Sequence, residues 1–414
     1  MIPHEWKKTV LRQLVKGELK NGYSPNPPAR FEGYWVLSLS ALTGEQLDIA
    51  KVKPAPHNKR VLSSLLKRDD YLISRSNTKD KVGRTARFKY DNANISYPDL
   101  MMKFKANINK VDVNFLDFVL TSEGARSYFQ MNATGSSVTM VKINKKIVEN
   151  LPILLPPLFE QKKIASVISA WYNAIHCTQS FLENKKKQKK ALMQQLLTGR
   201  WRLPGFSNPW SAAPLNTLFR EIKRPVIWDD NKEYKLLSVK RRAGGVFFRE
   251  NIFGKEIKTK KLNSVCSDEL LISKMQVVHG AIGIVPKDFD GCFVSDSYII
   301  LAPKNKNKLL MKFIGYYFQQ PHIWHLAYLN SYGVHIEKMT FNFDSFLKET
   351  IEIPSDIAEQ KAIADVLTAA DAVIQQYEAK LANLQAQKKA LMQQLLTGKI
   401  RVRTDTDAAQ HQPA

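Results

Sequence analysis

The chain has 414 residues, and its 62 lysines and arginines exceed its 38 aspartates and glutamates, which gives a formal net charge of +24 at pH 7. This excess of basic side chains favours a polyanionic partner such as a nucleic acid. The first residues lack the pattern of a secretory signal, no apolar run approaches membrane-spanning length, and three cysteines are too few for a disulfide framework or a thiolate metal site, so we expect a cytoplasmic protein.

Residues 1–150 have the mixed pattern of one α+β domain. Short apolar runs at residues 34–39 and 71–74 predict strands, and the apolar spacing over residues 114–129 predicts a helix. The length suits a single globular domain. The net charge of this domain is +11, so much of the basic excess lies here.

Residues 155–200 predict one long helix. Apolar side chains recur at alternating steps of four and three, which is the heptad pattern of a helix that packs along another helix. Pro157 can precede the helix, and Gly199 can end it in the left-handed conformation. The predicted seam contains Ile164, Ile168, Trp171, Ile175, Leu182, Leu192 and Leu196.

Residues 205–352 predict a second α+β domain, with strands at 269–273 and 297–302 and helical spacing over 309–329. Its net charge, counted over residues 204–354, is +6.

A second long helix follows at residues 355–400, and residues 404–414 are expected to form a flexible tail. The net charge from residue 355 to the last residue is zero, whereas residues 151–203 carry +7. The seam of the second helix contains Ile363, Leu367, Ile374, Leu381, Leu391 and Leu395.

The two halves of the chain are copies of one unit. Residues 188–199 return unchanged as 387–398, and residues 160–199 match 359–398 at 22 of 40 positions. The same shift aligns Leu-Ile-Ser-Arg at 72–75 with Leu-Ile-Ser-Lys at 271–274. The fold class predicted is α+β: a tandem duplication of two strand-rich domains separated by two long helices. Each helix alone might pack on its own domain, but two matched copies favour packing on each other.

Motifs for catalysis are missing from the sequence. It contains neither a phosphate-binding Gly-x4-Gly-Lys-Ser/Thr loop nor a Gly-x-Gly-x-x-Gly loop. Asn26-Pro27-Pro28-Ala29 lacks the aromatic residue that would stack on a flipped base. Glu256 and Lys258 have no paired acidic residue at a persuasive spacing. His322 and His325 lie among aromatic residues on a predicted helix, where core or surface roles are commoner than metal binding.

The residues at both ends of the helices are similar to those of a known family. The helices begin with Pro-Pro-Leu-Phe-Glu-Gln-Lys-Lys-Ile-Ala at 156–165 and Ala-Glu-Gln-Lys-Ala-Ile-Ala at 358–364, and both end with Lys-Lys-Ala-Leu-Met-Gln-Gln-Leu-Leu-Thr-Gly. These segments closely resemble the specificity subunit of type I restriction-modification enzymes. The resemblance extends from the N-terminus to about residue 403. The second helix departs from it by beginning after Ile-Pro-Ser-Asp at 353–356.

The resemblance implies a non-catalytic subunit with target recognition domains at 1–150 and 205–352, related by a pseudo-twofold axis. Each domain would read one half of a bipartite asymmetric site on double-stranded DNA, and the antiparallel coiled-coil helices would fix the gap between the halves. It also implies two methylation subunits that transfer methyl groups from S-adenosylmethionine to adenine N6. Restriction subunits, with ATP and Mg, are an optional addition. This chain itself would bind neither cofactor nor metal.

Two other classes of function remain open from the residues alone. A single-chain methyltransferase or nuclease would need the missing loops. A structural coiled-coil adaptor would leave the charge on both domains unexplained.

The candidate DNA contacts follow the shared Leu-Ile-Ser segment of each domain. Forked or long donors placed on a loop after a buried strand can reach base edges or phosphates, and a phosphate contact or a solvated charge is an equally good interpretation of any one of them. In the first domain they are Arg75, Asn77, Lys79, Arg84 and Arg87. In the second they are Lys274, Gln276 and His279, with Arg241 and Arg242 as a nearby basic pair.

Overall fold

The structure, a computed structural model, describes residues 3–91, 93–137 and 140–402. They divide into two compact units, one formed by the residues up to Gln179 together with those from Lys380 onward, and the other by Ser180–Ala379. The predicted tail, residues 404–414, lies outside the described residues. In the part that is described, we find no helix long and apolar enough to cross a membrane.

The α+β domain of the first unit is made of short strands and helices. The strands are β1 (Lys7–Val10), β2 (Val15–Asn21), β3 (Tyr34–Leu37), β4 (Val52–Ala55), β5 (Asp70–Ser74), β6 (Ser76–Asn77), β7 (Thr85–Arg87), β8 (Ile95–Ser96), β9 (Met101–Ala106), β10 (Thr134–Ser137), β11 (Met140–Lys142) and β12 (Pro152–Leu155). The helices are α1 (Leu11–Leu14), α2 (Lys59–Ser63), α3 (Val113–Thr121), α4 (Glu123–Asn132) and α5 (Lys145–Glu149).

The core of this domain is built on both faces of an antiparallel sheet with the order β2-β9-β5-β7. Successive side chains of a strand point to opposite faces. Tyr71 and Ile73 therefore join the core that contains α3 and α4, whereas Leu72 joins a second core on the other face. The strand predicted at residues 71–74 is confirmed as β5.

The helix predicted over residues 114–129 is two helices, α3 and α4. Ser122 separates them because its backbone is extended and its hydroxyl accepts a hydrogen bond from the backbone N–H of Ala125, which begins a new helix.

A single long helix, α6 (Leu158–Leu196), follows the first domain. Its start is fixed by the buried side chain of Gln161, whose amide donates to the carbonyl of Pro156 at 2.8 Å and accepts from the backbone N–H of Asp112 at 2.8 Å. The helix lies within the range of residues 155–200 for which the sequence predicted it, and residue 155 itself ends β12.

The domain of the second unit repeats this composition. Its strands are β13 (Trp210–Pro214), β14 (Phe219–Glu221), β15 (Glu233–Val239), β16 (Val246–Phe253), β17 (Leu262–Ser264), β18 (Leu270–Ser273), β19 (Ile282–Ile284), β20 (Phe293–Ser295), β21 (Tyr298–Pro303), β22 (Ser331–Tyr332), β23 (Thr340–Phe341) and β24 (Thr350–Pro354). Its helices are α7 (Leu215–Leu218), α8 (Met311–Tyr317), α9 (Pro321–Leu329) and α10 (Phe343–Phe346), followed by the long α11 (Ile357–Leu396).

The sheet topology repeats as well. The order β14-β21-β18-β19 is antiparallel and corresponds strand for strand to β2-β9-β5-β7 of the first domain. The predicted strand at 269–273 is β18, which occupies the place of β5. The helix predicted over residues 309–329 is again two helices, because Pro321 lacks a backbone N–H and stands at the first position of α9.

The long helices pack on each other within each unit, and the ion pairs of the second unit show their direction. Lys186 lies 2.6 Å from Glu378, and Lys189 lies 2.6 Å from Asp371. The partner's number falls as the lysine's number rises, so the two helices are antiparallel here. In the first unit, Ile164 and Ile168 of α6 share a core with Leu395 near the end of α11, which gives the same direction.

The predicted seam is the buried side of both helices. Every apolar residue of the two predicted seams, from Ile164 to Leu196 and from Ile363 to Leu395, is buried or half-buried, whereas most side chains between them are exposed. Two lysines interrupt the seam at equivalent positions, and both have partners. Lys388 lies over the ring of Tyr172, 4.0 Å from its centroid, and Lys189 pairs with Asp371. The aromatic ring or the carboxylate offsets the cost of burying the ammonium group.

Each long helix begins with a buried carboxylate in a polar cluster. Glu160 is fully buried and accepts from the indole N–H of Trp6 at 3.1 Å and from two guanidinium nitrogens of Arg401 at 3.1 and 2.9 Å. In the second unit, Glu359 accepts from Trp210 at 3.4 Å and from Nη2 of Arg202 at 2.7 Å. Arg401 and Arg202 each follow the end of the helix opposite, so this cluster joins the start of one helix to the end of the other.

We expect Arg401→Ala to lower the free energy of unfolding of the first unit by about 3 kcal/mol, because Glu160 would keep its charge without a cationic partner and without water. Arg202→Ala should do the same to the second unit. Equilibrium denaturation followed by circular dichroism measures both. Lys312→Ala is the control, since the pair of Lys312 with Asp365 is about half exposed and such pairs contribute at most about 1 kcal/mol. An equal effect of Arg401→Ala and Lys312→Ala would contradict this account.

Candidate nucleic-acid interface

The candidate contacts of the first domain lie where β5 ends. Arg75 is half-buried, and its backbone is held on both sides, by the carbonyl of Leu100 and by the N–H of Ile143. Lys79 is exposed on the turn that follows β6. The carboxamide of Asn77 accepts from the N–H of Thr78 at 2.9 Å and so shapes this turn. The backbone therefore presents Arg75 and Lys79 from a fixed support.

Arg84 and Arg126 belong to the same region. Nη1 of Arg84 lies 3.4 Å from the carbonyl of Leu42, which leaves most of the guanidinium donors for another partner. Arg126, which the sequence did not single out, donates to the carbonyls of Val82 at 2.5 Å and Asp80 at 2.8 Å. Burial lowers the pKa of its guanidinium. Arg126 thus stabilises the loop by binding its backbone carbonyls.

Arg87 requires a correction, because it does not stand on the loop. It ends β7, and its side chain is only 9% exposed. Its donors reach Asp117 at 2.9 Å, Asp69 at 2.7 Å and Asn114 at 2.6 Å. A guanidinium whose three nitrogens are all engaged inside the domain is not free to grip a base or a phosphate. Arg87 stabilises the fold and is withdrawn from the candidate contacts.

The structure brings together four of the five candidate residues of the second domain, Arg241, Arg242, Gln276 and His279, although the two pairs are distant in sequence. Nε of Arg241 lies 3.3 Å from the carboxamide oxygen of Gln276. The backbone N–H of Arg242 donates to the carbonyl of His279 at 2.7 Å, and Ala243 donates to Gly280 at 3.0 Å. The β15–β16 turn is therefore fastened to the segment that follows β18.

That turn has strained backbone. Arg242 and Ala243 are its central residues and have φ of 56° and 55°, and the N–H of Gly244 donates to the carbonyl of Arg241 at 3.2 Å. This is the turn type in which asparagine and glycine are preferred, because other residues in the left-handed region are disfavoured by about 1–2 kcal/mol each. Strain of this kind is concentrated at functional sites. Arg241 and Arg242 are both exposed on this tight turn.

Glu337 completes this group of residues. It belongs to the short 3-10 helix Ile336–Lys338, and its carboxylate accepts from Nη2 of Arg241 at 2.7 Å and from Nη1 at 3.3 Å. The bond from Arg241 lowers the pKa of Glu337, so the carboxylate is charged at neutral pH. Nε2 of His279 also lies close to this carboxylate, 3.2 Å from Oε1 of Glu337. No sequence pattern marks Glu337, because it is separated from Arg241 by 96 positions.

Lys274 and the histidine pair stand apart from this group. The ammonium of Lys274 donates to the carbonyl of Asp296 at 2.8 Å, although the side chain is exposed. His322 packs edge-on against Tyr317, and burial lowers its pKa, whereas His325 stacks on Tyr328. Among the residues that the structure describes, no three histidine, cysteine, aspartate or glutamate side chains are grouped so that they could hold a metal ion.

Comparison with known proteins gives a consistent result. The family model for the type I restriction modification DNA specificity domain matches residues 58–185 and again residues 227–386, one match in each half of the chain. The chain belongs to this family. The two matches cover more than half of the sequence, and each extends into one of the long helices.

Relatives of the family align over most of the chain. The chain is 26% identical to a Methanocaldococcus jannaschii protein assigned as the MjaX specificity subunit of a type I restriction enzyme, over 97% of this chain and 95% of that protein. It is 27% identical to the MjaVIII specificity subunit of the same organism, over 67% of this chain and 68% of the relative.

Solved structures share the fold. The S subunit of a type I restriction-modification system from M. genitalium superposes with a TM-score of 0.55 at 14% identity, over 95% of this chain and 96% of that one. The HsdS subunit from Thermoanaerobacter tengcongensis gives 0.52 at 16% identity, over 96% and 98%. A chain from a type I restriction-modification complex gives 0.62 at 17% identity, over 97% and 100%. The predicted fold class and the predicted family are confirmed.

We expect Arg87→Ala to lower the free energy of unfolding by about 3 kcal/mol. Asp117 is largely buried and would lose its guanidinium partner, keeping only the exposed ammonium of Lys89 at 3.5 Å. Thermal or denaturant unfolding measures the change. Arg68→Ala is the control in the same domain, because the side chains of Arg68 and its partner Asp91 are both more than half exposed and such pairs contribute little to stability. Equal stability of the Arg87→Ala variant and the parent would restore Arg87 as a candidate contact.

Proposed function

We propose that this chain is the DNA sequence-recognition subunit of a type I restriction-modification complex and has no catalytic activity of its own. The main support for the proposal is a strand that occurs once in each domain, β5 or β18, and is followed by a segment with basic side chains. β5 and β18 occupy the same place in two sheets of the same order. β5 is followed by Arg75, Asn77 and Lys79, and β18 is followed by Lys274 and Gln276. Two readers in one chain suit a DNA site made of two different halves.

The proposal divides the work between the domains. Arg75, Lys79 and Arg84 of the first domain contact one half of the site, and Arg242 with Gln276 contacts the other. Arginine can grip guanine through two acceptors and glutamine can grip adenine, each for about 1–3 kcal/mol of discrimination. The domains differ in sequence outside the shared strand, so the two halves of the site differ too. The remaining basic side chains, among them Lys274, neutralise phosphates.

The long helices act as the spacer and as the docking surface for partners. α6 has 39 residues, which at ~1.5 Å per residue is roughly 58 Å of continuous helix. In this proposal two methylation subunits dock on the subunit and methylate adenine N6, one in each half-site. S-adenosylmethionine binds to those subunits, and ATP and Mg belong to restriction subunits where these are present. The complex acts on cellular DNA, which places it in the cytoplasm.

Methylome sequencing of cells that carry the chain with its methylation subunits tests the division into half-sites. We expect a bipartite motif, in which Arg75→Ala relaxes or loses bases of one half and Arg242→Ala affects only the other half. Both side chains are solvent-accessible, so neither change should unfold the protein. Loss of the same half in both variants would contradict the division. The purified chain without partners is the control and should transfer no methyl group.

A change in length tests the spacer. Four residues inserted after Gln179 should change the gap between the half-sites or abolish binding, and the bases read in each half should stay the same. Four residues shift the seam against its partner helix, whereas a seven-residue insertion keeps the heptad register and should disturb packing less. The motif recovered by methylome sequencing measures both variants. A four-residue variant that reads different bases would show that the helices do more than measure distance.

A further inference from the structure

One arginine of the second domain's turn is covered by a carboxylate. Two nitrogens of Arg241 bind Glu337, at 2.7 and 3.3 Å, and the third faces the carboxamide of Gln276 at 3.3 Å. The side chains of Arg241 and Glu337 are 44% and 58% exposed. The pair therefore lies at the surface, within reach of a ligand, while each nitrogen of the guanidinium already has a partner.

The neighbour Arg242 is in a different situation. It stands beside Arg241 on the same strained turn, and its side chain is exposed. The two adjacent arginines are thus presented by one backbone but differ in availability. Burial does not force Arg241 to pair, because the site is open to water, and an exposed ion pair is weak. A ligand with better acceptors can displace Glu337.

DNA is such a ligand, but it must meet a condition. A phosphate or a guanine edge can take the donors of Arg241, yet the displaced carboxylate stays charged and close to the DNA. Near a phosphate the carboxylate is repelled, whereas the amino group of cytosine N4 can donate to it. The exchange is therefore favourable on DNA that offers a donor to Glu337 and unfavourable on most other sequences.

We propose that Glu337 is a specificity-determining residue that masks Arg241 until the second domain meets its own half-site. The inference rests on the function proposed above and adds the step by which nonspecific DNA is rejected. The mask keeps one cation out of phosphate contacts on random DNA. The correct half-site opens the pair and gains the contacts of both groups.

Glu337→Gln tests the proposal, because it keeps the size of the side chain and removes its charge. The complex with the methylation subunits is titrated with a duplex that lacks the motif and with one that contains it, at several salt concentrations. We expect affinity for the motif-free duplex to rise about 3- to 10-fold. The slope of log K against log salt should steepen by about 0.9, the value of one additional phosphate contact. Affinity for the motif should change less, so the specificity ratio falls.

Two controls separate the mask from a change in net charge. Asp365→Asn removes the carboxylate of an exposed pair between α11 and α8 of the same unit, in which Asp365 lies 3.2 Å from Lys312, and should leave the salt slope unchanged. In an Arg241→Ala background, Glu337→Gln should lose its effect on the slope, because no arginine remains to be released. Melting temperatures of all variants verify that the fold is kept.

The outcomes are distinct. A steeper slope for Glu337→Gln alone, absent from Asp365→Asn and from the Arg241→Ala background, supports the mask. An effect equal to that of Asp365→Asn, or one that persists without Arg241, overturns it. If the parent complex shows no preference for any motif, the proposed recognition function fails. If the parent discriminates and Glu337→Gln discriminates equally well, only the mask is wrong.

Discussion

A carboxylate without access to water stands in the first turn of each long helix. Glu160 and Glu359 are accommodated because a tryptophan N–H and a guanidinium bind each of them. A buried charge left unpaired is strongly destabilising, so this interaction permits few alternative arrangements of the segments that supply the donors. It joins three parts of each unit: the tryptophan at or just before the first strand of the domain, the start of one helix and the residues after the end of the other. The remaining packing of the unit is arranged around this point.

The attachment of each domain to the long helices also explains how the sequence of a domain can vary while its fold is kept. The adjacent glutamine, Gln161 or Gln360, binds the loop before α3 or α8 through backbone groups, which any residue can provide. Helices and domain are therefore joined by main-chain acceptors and donors and by a few fixed side chains. The loops after β5 and β18 do not supply these contacts between helix and domain. Their side chains can differ between the copies without loss of the fold, which suits a pair of domains with different ligands.

The arginines in and around the two candidate sites have three different roles. Arg126 and Arg87 bind groups of their own domain, Arg242 projects from a strained turn, and Arg241 is covered by a carboxylate. Formal charge does not distinguish these roles, since all four side chains are cations. The availability of their N–H donors does. The basic residues that can contact a ligand are therefore those whose N–H donors are free at the surface.

The sequence by itself determined the duplication, the two long helices with their seams, the buried Leu-Ile-Ser strand and the family. These features are periodic or local, and a heptad pattern or a run of apolar residues has the same meaning in any context. It did not determine which of the basic residues are free. Arg87 was expected on a loop, but it ends a strand and its nitrogens bind Asp117, Asp69 and Asn114. Glu337 was not predicted, because its partner is 96 positions away. Such pairings depend on side chains that meet only after the strands and turns have packed, so the tertiary structure alone decided them.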